Sequence, residues 1–122
     1  MKPAELRLVK PSYALAADLV AVIVFAVVGR SSHGEGIGLA DVAATAWPFL
    51  VGCLAGWAVL RLRRDPGHPL LGGALAAVTV GIGMVLRVVT GGSTHWSFIL
   101  VALLFLGLVL TGWRVLARVI RR

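Results

Sequence analysis

One cysteine, one tyrosine and five acidic residues in a chain of 122 exclude several kinds of chemistry at the outset. Cys53 cannot form a disulfide within the chain, and its apolar setting points to a buried, inert thiol. Two histidines, His33 and His95, and two carboxylates, Glu35 and Asp41, could together bind a transition metal, but no helical His-x-x-x-His or similar spacing supports it; no metal and no cofactor are expected. There is no glycine-rich nucleotide loop, no Ser/His/Asp arrangement and no His-Glu-x-x-His, so no enzyme is expected. The basic tails lack interleaved aromatics, which argues against nucleic acid as a partner.

What the chain has instead is apolar length. Hydrophobic residues make up 59% of it, and its mean hydropathy is +0.95. They fall into four runs, about 12–28, 41–60, 70–89 and 96–115. Each is close to the ~20 residues needed to cross a ~30 Å hydrocarbon core as a helix. An open sheet could not satisfy its edges in lipid. The expected fold is therefore all-α, a single-domain integral membrane four-helix bundle with antiparallel neighbours. The breaks are "GRSSHGEGIG" (29–38), "RLRRDPGHP" (61–69) and "TGGSTH" (90–95), all rich in turn residues. Asp41 is the expected N-cap of the second helix and Ser12 of the first. The first run lacks a cleavage site followed by a polar mature domain, so it reads as a retained helix rather than a signal peptide.

Ten of the twelve basic residues fall in the N-terminal tail, the second turn and the C-terminal end; only Arg30 and Arg87 lie in or beside the other two turns. The positive-inside rule then puts both termini in the cytoplasm of a bacterial cell, with the chain in the inner (plasma) membrane and the basic side against anionic lipid headgroups. "GWAVLRLRR" (56–64) and "GWRVLARVIRR" (112–122) resemble each other, as do "VVGRSSH" (27–33) and "VVTGGSTH" (88–95). They suggest a parallel repeat of two-helix hairpins, with offsets of 56 for Gly-Trp and 62 for His.

Small residues recur at four-residue spacing as Ala44, Pro48, Gly52 and Gly56, and as Gly73, Ala77 and Gly81. These two stripes are expected to pack the second helix on the third. Pro48 removes the backbone donor for the Ala44 carbonyl and should kink its helix. Trp47 and Trp96 suit one membrane interface, and Trp57 and Trp113 the other, with Tyr13. Among polar residues, Asp18 lies within the first apolar run and needs a partner, since an unpaired Asp in a helix centre costs about 2.5–3.5 kcal/mol. Arg114 is the candidate charge at matching depth and Thr111 a neutral one. Arg30, His33, Glu35, Asp41, Thr45, Arg87 and His95 gather toward the opposite ends. Arg30 is expected to pair with Glu35 or Asp41 in a cap over the bundle.

Asp18, "FAVVGRSSH" (25–33), Thr45, "WPF" (47–49) and "GW" (56–57) together resemble the domain-of-unknown-function 3054 family of small prokaryotic membrane proteins. The resemblance spans about residues 12–115. It implies a small polytopic membrane protein with Asp18, Gly29, Arg30, His33, Thr45, Trp47, Pro48 and Phe49 as signature positions, and it implies no activity. Three functions remain open. A small transporter- or channel-like protein would need a polar cavity reaching Asp18, and a homodimer to enclose a pathway. A non-catalytic structural or accessory subunit of a membrane complex would have Asp18 sealed and the third-helix stripe exposed to lipid or partner. A redox or enzymatic subunit would bring His33 and His95 within ligand distance. The threading has its own test. In a Cys53→Ala background, single cysteines at Ser32 and Ser93 should react with an impermeant thiol reagent on intact cells, and one at Gly67 should not; the reverse pattern overturns the topology.

Overall fold

The structure is a computed structural model that describes residues 10–32, 34–92 and 96–120. Among these, four helices account for the fold: α1 (Pro11–Ser32), α2 (Leu39–Val59), α3 (Pro69–Val89) and α4 (Trp96–Ile120). Each is long and apolar enough to cross a membrane. Helix α1 packs on α2 and α4, and α3 on α2 and α4; across the diagonal no backbones of the described residues come close, and only side chains meet, as Phe49 of α2 does Phe98 of α4 at 6.2 Å between ring centroids. The order around the bundle is therefore α1–α2–α3–α4. All neighbours are antiparallel, because each connection is too short to cross back. One end, called the basic end here, holds the start of α1, the α2–α3 connection and the finish of α4. The far end holds the other two connections.

Helix α1 runs four residues beyond Val28, so Gly29, Arg30, Ser31 and Ser32 are helical and the break after it is shorter than the sequence suggested. Helix α4 likewise continues five residues past Val115. Both expected N-caps are corrected. Ser12 lies inside the first turn of α1, which opens on Pro11, whose fixed φ suits that position. The N-cap of α2 is Gly38, and Asp41 sits two residues into the helix, where its carboxylate still faces the positive end of the dipole. At α3 the cap is His68, whose ring nitrogen accepts from the Leu70 N–H at 3.2 Å.

Three helices end in the same way. After α1, Glu35 N–H donates to the Arg30 carbonyl at 2.8 Å and Gly34 N–H to Ser31 at 3.1 Å. After α3, Gly92 N–H donates to Arg87 at 2.7 Å and Gly91 N–H to Val88 at 3.1 Å. After α2, Leu62 N–H donates to Trp57 at 3.1 Å and Arg61 N–H to Ala58 at 3.3 Å. This paired arrangement is the Schellman motif, which needs one residue at positive φ. Gly34 (φ 69°) and Gly91 (φ 94°) supply it without strain, whereas Arg61 holds φ 53° with a side chain. What holds Arg61 there is the next residue, Leu62, which the turn drives into the core and buries completely.

All four phenylalanines meet in the core. Phe25 lies 5.7 Å from Phe49, 5.7 Å from Phe98 and 5.6 Å from Phe105, ring centroid to centroid. Helix α3 contributes no ring and leaves room instead: a Cβ on Gly83 would collide with Phe49. The packing stripe of α3 consequently differs from the expected one. Gly73, Ala77 and Gly81 are exposed, and a Cβ on Gly81 would meet nothing. The buried face is Gly72, Leu75, Ala76, Thr79, Val80 and Gly83. Spacing alone could not choose between two stripes one residue apart. What chose was backbone proximity on both flanks: a Cβ on Gly72 would sit 2.7 Å from the Leu110 carbonyl oxygen of α4, and one on Gly52 would sit 2.6 Å from that of Thr79. On α2, Gly52 and Gly56 do face α3 as expected and Pro48 is buried, but Ala44 is exposed and the stripe opens there. Alanine at Gly52 or Gly72 should therefore cost about 1–3 kcal/mol through overpacking, and alanine at Gly73 or Gly81 close to nothing, in thermal unfolding in detergent. Equal costs at all four sites would reject this register.

Candidate functional site

Asp18 and Arg114 are fully buried at the basic end of the bundle. Asp18 lies seven residues from the start of α1 and Arg114 six from the finish of α4, each roughly 10 Å along the axis. Their helices are antiparallel neighbours, so nearly equal distances from that end put the two side chains at one level. The pair is bidentate. Arg114 Nη1 donates to Asp18 Oδ1 at 2.8 Å, and Nη2 to Oδ2 at 2.6 Å. Two indoles complete the carboxylate: Trp57 Nε1 donates to Oδ2 at 2.8 Å and Trp113 Nε1 to Oδ1 at 2.9 Å. Each oxygen thus accepts two hydrogen bonds, about the full capacity of a carboxylate.

The guanidinium is engaged beyond the pair as well. Arg114 Nε donates to the Pro66 carbonyl at 2.8 Å, and Nη1 also donates to the Leu110 carbonyl one turn back. Its carbon lies 4.4 Å from the Trp113 ring centroid. One ion pair therefore fastens α1, α2, α4 and the α2–α3 connection together. Thr111, the neutral alternative, takes no part and lies beside Gly73. Trp57 and Trp113 stand toward the basic end, and their N–H groups turn inward because a buried carboxylate needs donors more than the interface needs rings. With its acceptor capacity filled and no accessible surface, Asp18 is built to hold helices. A proton or cation could reach it only after one of these bonds broke.

A second polar assembly stands at the far end. Arg30 Nη1 donates to Thr45 Oγ1 at 2.8 Å, and Arg30 Nε donates to the Gly36 carbonyl. Glu35 Oε2 lies 3.6 Å from Nη1. This is the expected cap, and the carboxylate in it is Glu35; the Asp41 carboxylate instead crowds Gly36, where a Cβ would come within 2.9 Å of it. Arg87 belongs to the other side of that end, its guanidinium 5.1 Å from the Phe98 ring centroid. His33 and His95 lie outside the described residues, and with them any test of a histidine pair. Among the described residues no three His, Cys, Asp or Glu side chains are grouped to hold a metal.

The sequence supplied Asp18 and Arg114 but not the two indoles or the Pro66 carbonyl. A signal was present in the Gly-Trp repeat, whose two tryptophans reach the same carboxylate from α2 and α4. The structure also moves the repeat's register at the far end. Arg30 and Arg87 occupy the same place in two Schellman turns, as do Gly34 and Gly91, an offset of 57 that nearly equals the 56 of Trp57 and Trp113. The expected match of His33 with His95 is displaced by five residues.

The family described as protein of unknown function DUF3054 matches residues 15–117, most of the chain, and the protein belongs to it. No curated protein and no solved structure matches the chain.

Removing one partner of a buried pair strands the other charge and costs about 3–5 kcal/mol. Asp18→Leu and Arg114→Met should each destabilise the protein by that order, and the double variant by clearly less than the two combined. Additive losses in thermal unfolding would deny the coupling. At the far end, Arg30→Ala should cost more than Ser31→Ala or Ser32→Ala, since a charge-assisted hydrogen bond is worth about 1.5–3 kcal/mol and both serines are exposed.

Proposed function

We propose that this member of the DUF3054 family is a multi-pass plasma-membrane protein, both termini cytoplasmic, that serves as a non-catalytic structural or accessory subunit of a membrane complex. The observation that carries the reading is the sealed ion pair. A conduit through one copy would use Asp18, the carboxylate buried within the described spans, and Asp18 has neither accessible surface nor a spare acceptor site. Beyond it, the axis is filled by Val22, Cys53 and Leu106 and then by the phenylalanine cluster. What the bundle offers outward is the smooth face of Gly73, Ala77 and Gly81, suited to close helix approach by a second copy or another membrane protein. The transporter-like alternative would need a pathway between two copies.

The threading follows from the basic end, where Lys10, Arg63, Arg64 and Arg118 are exposed and suited to anionic headgroups. A photo-crosslinking amino acid at Ala77 should give a discrete protein adduct in native membranes, while the same group at Val20 or Leu104, also exposed, on α1 and α4, should give none. Lipid adducts alone at all three positions would overturn the subunit reading.

A further inference from the structure

The seam between α1 and α4 belongs neither to the outward face of α3 nor to the far-end cap. Of the four neighbouring pairs, these two helices approach each other least. The cause is the clamp on Asp18. Arg114 and Trp113 reach across this seam to the carboxylate, and long side chains hold helix axes apart. Beside them a groove of about 320 Å³ stays open, lined among others by Ala17, Ala21 and Val24 of α1 and by Phe105, Val109 and Trp113 of α4. The two alanines are too small to fill it. Among these side chains the one polar group is the Trp113 N–H, which is already given to Asp18 at 2.9 Å. Water therefore has no partner there.

The shape of the groove selects its occupant. Ala17 and Val24 lie six and thirteen residues from the start of α1, roughly 9 and 20 Å along its axis. That is the depth of acyl chains. A volume of about 320 Å³ over that ~11 Å gives a cross-section of about 30 Å², whereas a helix ~10 Å across needs ~80 Å². The groove takes one extended chain and not a helix. Toward the basic end the same face of α1 continues through Tyr13 and Lys10, four and seven residues before Ala17. Ala14 N–H donates to the Lys10 carbonyl at 3.0 Å, which keeps Lys10 in helical register, and Lys10 Nζ lies 5.9 Å from the Tyr13 ring centroid. Both side chains are exposed. The first turn of α1 has no acidic residue, so the positive end of its dipole adds to the ammonium. An anion is favoured directly beyond an apolar groove, which is how a phospholipid presents its phosphate and its chain.

We propose that the α1–α4 groove binds an anionic glycerophospholipid, with one acyl chain lying beside Ala17 and Val24 against the Trp113 ring and the phosphate meeting Lys10. The site stands apart from the α3 face, so it holds or fails independently of the subunit role. The test uses the full chain in mild detergent and native mass spectrometry, titrating dioleoyl-phosphatidylglycerol and then dioleoyl-phosphatidylcholine, which has the same chains but no net charge. A one-to-one adduct that favours phosphatidylglycerol is expected. Val20→Trp, at an exposed position on the rim, should weaken it about tenfold or more by displacing chain methylenes, and Ala17→Leu should do the same. Lys10→Gln should weaken phosphatidylglycerol about fivefold and leave phosphatidylcholine as it was. Val85→Phe, exposed on α3, should bind as the parent does. No adduct overturns the proposal. So do equal binding of the two lipids by the parent, binding that survives Val20→Trp, and a second copy of the chain, in place of lipid, whose association Val20→Trp abolishes.

Discussion

A carboxylate placed a third of the way along an apolar helix tolerates few surroundings, and the Asp18 side chain has one of them. Its two oxygens receive a guanidinium and two indoles, drawn from α2 and α4. Arg114 in turn takes the Pro66 carbonyl, which pins the connection between α2 and α3 beneath the bundle. That connection then carries Leu62 into the core, at the expense of a left-handed Arg61. Helix positions, loop course and one strained residue all follow from satisfying a single buried charge.

The bundle is also a pair of hairpins treated unequally. The order α1–α2–α3–α4 around the axis places α3 where a half-turn would carry α1, and Trp57, Arg30 and Gly34 find counterparts in Trp113, Arg87 and Gly91. Yet only one hairpin has the acid. The position 57 residues beyond Asp18 is Leu75, fully buried and apolar. Two indoles, one from each hairpin, thus converge on one acceptor, and Arg114 supplies the compensating charge. The far end is unequal too: one arginine closes the α1–α2 turn against Thr45 and Glu35, and the other stands over the Phe98 ring.

Much of this was legible beforehand, for reasons tied to particular residues. The four runs, the antiparallel bundle and the Asp18–Arg114 pair follow from apolar length and matched depth, both of which are linear in sequence. The inward turn of Trp57 and Trp113 was not legible, because an indole fits either an interface or a buried acceptor, and only the packed geometry decides. The α3 stripe was misread by one residue because Gly72 and Gly73 are adjacent and the series from Gly73 continues in small residues, whereas the buried one from Gly72 goes on to Val80. Arg61 gave no warning at all, since the left-handed position it fills is normally glycine. The phenylalanine cluster depended on rotations of three helices that no single helix's pattern encodes.

The central claim is that Asp18 is sealed from water by the two indoles and Arg114. Hydrogen exchange at the four indole N–H groups of selectively ¹⁵N-tryptophan-labelled protein reads this directly. Trp57 and Trp113 should be protected far longer than Trp47 and Trp96, and Asp18→Asn should shift those two resonances while leaving the others in place. Rapid exchange at all four, or an Asp18→Asn spectrum with Trp57 and Trp113 unmoved, would contradict it.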